Sequence, residues 1–185
     1  MSIEVPYSPI DTILPTFSPP HLIDQLSIPG SKINIYAHEI AHALVCLYLY
    51  FELFGISFVP NNTSIARVVR GVAGPRWVGI ISIASVALID IFPNYIPHGC
   101  DVDIDMVLKA RKADEEKMEA FTISSDILSK YGSEIILKII ELMIEAEKSI
   151  FTGEEFVCLL DMAKKIVTEN NRPPTIRHMP CLDLS

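Results

Sequence analysis

"SKINIYAHEIAHALVCLYLYF", residues 31–51, is the stretch on which the fold turns. Ser31 can accept a hydrogen bond from an amide of a first helical turn. Neither proline nor glycine interrupts the chain from there to Gly55, so the pattern predicts a helix from Ser31 to Phe54 with Gly55 as its stop. Inside it, His38 and His42 stand four apart and share one face, one turn from each other. That spacing lets two imidazole nitrogens hold one ion at about 2.0–2.1 Å. Glu39 lies about 100° around the helix, badly placed as a direct ligand but able to reach a metal-bound water. Two ligands and a general base from a single turn are the physical content of H-E-x-x-H.

With 5 histidines among 185 residues, chance would spell this pattern in about one shuffled chain per hundred. Position therefore matters more than the match. Here the motif runs into an uninterrupted apolar stretch, Ala43 to Phe51, on a strong helical pattern. A lone core histidine can be satisfied by one carbonyl; two histidines and a carboxylate on one apolar helix call for a shared partner. Zinc is the expected ion, since it accepts mixed nitrogen and oxygen ligands in tetrahedral geometry.

Working outward, 185 residues suit one domain with tails. Half the residues are hydrophobic, enough for a sizeable core. A net charge of -8 and a pI near 5.1 argue against nucleic acid as a partner. The four cysteines, Cys46, Cys100, Cys158 and Cys181, form no CxxC pair, which favours reduced thiols and a cytoplasmic location. A second apolar run, Trp77 to Ile89, is like the first too short for the roughly 20 residues that span a bilayer. Both are expected to be buried helices, with no membrane span.

Residues 1–30 carry six prolines and read as an extended arm, residues 31–170 as the folded domain, and residues 171–185 as a tail. "GISFV" and "IARVVRG" flank "PNNTS", predicting two short strands around a turn. "PRWVGIISIASVALIDIF" reads as one buried helix opened by Pro75, its small residues suited to close packing. From Asp103 the pattern is helical again, and Ile104, Val107 and Leu108 are expected to share one face. Ile136, Ile139, Ile140, Met143 and Ile144 form a stripe that starts near Ser133. Thr152 with Glu155 makes a capping box before a last helix. The fold class is mainly α, a compact helical domain with a small β-hairpin or minor sheet.

A catalytic zinc keeps three protein ligands and an open position. The remaining histidines are His21, His98 and His178, and "PHGCDVDID" offers Asp101, Asp103 and Asp105 at a helix start. Acidic residues there also serve the helix dipole, so spacing alone leaves the third ligand open within this cluster.

"YAHEIAHALV" resembles the peptidase motif of the FtsH family of ATP-dependent zinc proteases, where HEAGHA precedes small and apolar residues. That family takes its third ligand from a later G-x-x-x-D-[IL]-x-x-A segment. "GCDVDIDMVLKA" is similar, with Gly99, Asp103 and Ile104 in place and Val107 where alanine is usual. The last segment, "IIELMIEAEKSIFTGEEFVCLLDMAKKI", looks like the family's closing helices, so the resemblance covers residues 34–168. It implies that His38, His42 and Asp103 bind Zn2+ and that Glu39 is the catalytic base. The expected activity is that of a zinc metalloendopeptidase, cleaving peptides or unfolded protein, with room for a homo-oligomer.

The chain departs from the family at Ala41, where glycine is usual, and has only 60 residues between His42 and Asp103. No GxxxxGK[ST] phosphate loop occurs, so no ATPase module and no anchor are expected beside the peptidase domain. A non-catalytic partner-binding or regulatory domain that keeps the peptidase fold is the alternative. An intramembrane protease is less suited: Asn94 and Pro97 match its N-x-x-P segment, but its aspartate would fall on Val102. His178 and Cys181 could cap the open zinc position from the tail.

Overall fold

The computed structural model describes residues 20–58, 65–68, 74–110 and 113–171. The architecture is mostly helical with one small antiparallel sheet, as the sequence predicts. The tail residues His178 and Cys181, and most of the proline-rich arm, lie outside the described residues.

At the centre is α2 (Lys32–Tyr48). Ser31 opens it by accepting from the Asn34 amide at 3.1 Å. Ala37, Ile40, Ala41, Ala43, Leu44, Val45 and Cys46 are all fully buried. A helix that is apolar around its whole circumference must be covered on every side. Its neighbours are α1 (Pro20–Leu26), α3 (Pro75–Ser82), α4 (Ala84–Ala87), α6 (Asp114–Glu145) and the first two strands. The short helix α1 falls at the end of the segment expected to be an arm, and its Leu22 and Leu26 belong to the core. The core thus begins before residue 31.

The central helix ends at Tyr48, earlier than expected, and Gly55 is not its stop. The chain turns at Tyr50 (φ 60°) and enters β1 (Leu53–Ser57). Apolar content could not mark this boundary, since Leu53 and Ile56 are buried as strand residues. β1 lies between β2 (Ile65–Val68) and β3 (Ile150–Thr152), antiparallel to both. The third strand, only three residues long, has too few positions to show alternation in the sequence. Gly55 is needed for close approach: a Cβ there would sit 2.4 Å from the Phe151 carbonyl oxygen.

The segment after Pro75 is three short pieces rather than one helix. After α3 comes a break at Ile83, then α4 and a 3-10 turn, Leu88–Asp90. Its small residues Gly79, Ser82, Ala84, Ser85 and Ala87 are buried, which allows close helix packing. Ser124 of α6 donates to the Ile80 carbonyl at 2.6 Å and ties the two helices together. Next, α5 (Asp101–Ala110) packs on α3. Ile104, Val107 and Leu108 lie on this helix at one-turn spacing as expected; Val107 is buried, while Ile104 and Leu108 are 41% and 51% exposed. The long α6 bends at Gly132, whose φ of 78° favours glycine. The stripe from Ile136 to Met143 begins just past this bend and is buried; Ile144 is half-buried. Thr152 then caps α7 (Gly153–Asn170), accepting from the Glu155 amide at 3.2 Å while the Glu155 carboxylate accepts from the Thr152 amide at 2.9 Å.

Candidate metal centre

The site is assembled from α2, the break between α3 and α4, and the start of α5. His38, Glu39 and His42 are 8%, 4% and 7% exposed. The helical spacing alone puts both rings on one side of α2, with centroids 4.8 Å apart.

The interruption at Ile83 gives His42 its anchor. Carbonyls in the last turn of a helix lack an amide four residues on, and the Ile81 carbonyl meets His42 Nδ1 at 2.7 Å. A carbonyl only accepts, so Nδ1 carries the proton and Nε2 is left as the lone-pair nitrogen.

Asn34 places the other half. One turn before His38, it donates through Nδ2 to the Leu26 carbonyl at 2.8 Å and the Ile96 carbonyl at 2.9 Å. The first bond ties α1 to α2 and the second pins the loop of residues 91–100 against α2, and that loop delivers the first turn of α5. Asp103, in that turn, gains from the positive end of the helix dipole. Its Oδ2 lies 3.1 Å from His38 Nε2 and 3.3 Å from His42 Nε2, and the two nitrogens are 3.1 Å apart. Ligands about 2.0–2.1 Å from a tetrahedral ion are separated by about 3.3–3.4 Å, so this triangle has the size of one tetrahedral face. Glu39 Oε1 is 4.0 Å from His38 Nε2.

Electrostatics agree with the geometry. Burial alone would lower the His38 pKa, yet hydrogen bonds with Asp103 and Cys100 and the charge of Glu39 push it up from 6.5 to about 10. Burial would raise Asp103, but the hydrogen bonds and charges of His38 and His42 hold it well below the usual carboxylate range. The metal-free site thus keeps a proton among its ligands, in the role an ion would take.

Other sequence candidates lie elsewhere. Asp101, Asp105 and His98 are exposed, and Asp105 pairs with Lys109 one turn on. The structure adds Cys100, which with His38 and Asp103 forms a group that could hold a metal ion, its ligand atoms all within 4.8 Å of one another. It also adds Tyr95, whose buried hydroxyl has no hydrogen-bond partner among the described residues. Burial, then the charges of Cys100, Glu39 and Asp103, push that phenol above its ordinary pKa. Only "GC" directly before the acidic cluster could have drawn attention to Cys100. Nothing in the sequence marks Ile81 or Asn34.

Comparison with known protein families, with curated proteins and with solved structures gives no match. Among the described residues, no helix is long and apolar enough to cross a membrane.

Proposed function

We propose that residues 31–170 form a zinc-dependent metallopeptidase of the FtsH-like type, acting on peptides or unfolded protein without an ATPase of its own. One observation carries this reading. Two imidazole nitrogens from one helical turn and a carboxylate 61 positions after the second converge within 3.1–3.3 Å, with Glu39 beside them.

His38, His42 and Asp103 would hold the ion. Bound there, zinc supplies Lewis acidity toward water and the scissile carbonyl. Glu39 takes the proton from the attacking water at its carboxylate, then returns it to the nitrogen of the leaving amine. The buried walls around α2 exclude bulk water, and this strengthens each charge in the site. His42, fixed by Ile81, keeps its ring oriented throughout.

A second reading rests on Cys100. If its sulfur joined both histidines and Asp103, all four tetrahedral positions would be filled and none left for water. The centre would then be structural, in a partner-binding or regulatory domain that keeps a peptidase fold.

The test is zinc content together with zinc-dependent cleavage of labelled, unfolded casein. The wild-type chain is expected to carry about one zinc and to cleave. Glu39→Gln is expected to keep the zinc and lose cleavage by about 10²–10⁴-fold. Undiminished activity in that variant would remove Glu39 as the base; bound zinc with no cleavage even in the wild type favours the structural reading.

A further inference from the structure

A histidine that binds a metal through one nitrogen is ordinarily steered by a partner on the other, most often a carboxylate, a backbone carbonyl or water. His42 follows this pattern through the Ile81 carbonyl. His38 does not: its Nδ1 faces Cys100 Sγ at 3.7 Å. The same sulfur is 3.5 Å from Ser85 Oγ and 3.8 Å from the His98 carbonyl oxygen. Cys100 is 6% exposed and Ser85 fully buried.

One hydrogen-bond arrangement satisfies all three contacts together. The thiol donates its S–H to the His98 carbonyl, while its sulfur accepts from His38 Nδ1–H and from the Ser85 hydroxyl. Each of these polar atoms then has a use, and His38 Nε2 is the nitrogen turned toward Asp103 and His42, where an ion would take the place of its proton. Removing the sulfur would orphan two buried donors at once, which costs more than the weak bonds themselves return.

We infer that Cys100 is the positioning residue of His38, setting its tautomer and, through it, how tightly the centre holds its ion. The inference rests on His38, His42 and Asp103 being the ligands. Sulfur is a weaker acceptor than a carbonyl, so His38 is the more loosely steered of the two rings. Changes at residue 100 should therefore act on metal affinity before they act on the fold.

Cobalt(II), a visible stand-in for zinc, provides the test. Its affinity is measured by competition with a chelating dye for the wild type, Cys100→Ala, Cys100→Ser and His42→Ala. Cys100→Ala is expected to bind cobalt about 10–100-fold more weakly at unchanged helix content. Cys100→Ser should recover close to wild-type affinity, since a hydroxyl can accept from both donors. Nitrogen-15 spectra of the zinc-loaded wild type should show His38 protonated at Nδ1 and metal-bound at Nε2, a readout that stands even if the alanine variant fails to fold. Equal affinity in Cys100→Ala, or His38 bound through Nδ1, would overturn the inference. So would a sulfur-to-cobalt charge-transfer band in the wild type, which would make Cys100 a ligand. Cobalt held equally well by His42→Ala and wild type would instead overturn the ligand set on which the inference rests.

Discussion

The two halves of the candidate centre are built by different physics. On α2, His38, Glu39 and His42 are placed by helix geometry inside a segment buried on all sides. On α5, Asp103 belongs to the first turn of a helix whose Ile104 and Leu108 remain exposed. The first half is preorganised by its own backbone; the second depends on docking through Asn34 and the loop of residues 91–100. A site divided this way should lose function by distinct routes according to which half is disturbed.

The largest effect is expected from the ligands themselves. His42→Ala and Asp103→Ala should each leave close to no zinc by mass spectrometry, and the α5 variant should preserve the helix content of α2. A full complement of zinc in Asp103→Ala, with loss in Asp101→Ala or His98→Ala instead, would show that the docked half contributes a different residue.

Next comes the clamp between the halves. Asn34→Ala removes two hydrogen bonds, one of them fully buried, and takes the Asn34 donor from the Ile96 carbonyl, at a cost of about 1–3 kcal/mol in denaturant unfolding. Because the bond to Ile96 holds the loop that carries Asp103, zinc affinity should fall with it. Lost stability at unchanged affinity would mean that Asp103 is held in place by α3 alone.

A smaller effect should follow pH in the metal-free chain. The His38 pKa is raised from 6.5 to about 10, so its pairing with Asp103 stabilises the fold fully below pH 6.5 and is lost as pH rises through about 10. The Asp103 pKa is lowered from 3.8, so the same pairing is present above 3.8 and is lost as pH falls through the depressed value. These are two views of one pair. The Tm of metal-free protein should therefore decline from pH 6.5 toward 10, and Asp103→Asn should flatten that decline. An equal alkaline decline in Asp103→Asn would place its origin elsewhere. Zinc binding at pH 7 should release about one proton per ion, because the ion takes the place of the one on His38.

The smallest effect is expected at Asp105, two residues beyond the ligand. It is exposed and paired with Lys109 in a surface ion pair, so Asp105→Ala should change zinc content hardly at all and stability by less than about 1 kcal/mol. A marked loss of zinc there would mean that α5 docks in a different register.

His38, Glu39 and His42 were legible in the sequence because i and i+4 on a helix share a face wherever the helix lies. The Thr152–Glu155 capping box was legible for the same local reason. Asp103 was one of several acidic candidates by spacing and was preferred only through resemblance. The helix end at Tyr48 and the break at Ile83 escaped because both lie within apolar runs, where hydrophobicity has no period to interrupt.

By itself, then, the sequence determined the mainly helical character, the central buried helix and the two histidines with their neighbouring carboxylate. Each follows from intervals of one or two helical turns. Only the tertiary structure decided that the chain between Ile81 and Asp103 folds back over that helix. It lends a freed carbonyl to His42, a thiol to His38 and a carboxylate to both. Such partners lie 39 to 65 residues from the histidines along the chain, and no local periodicity relates positions that far apart.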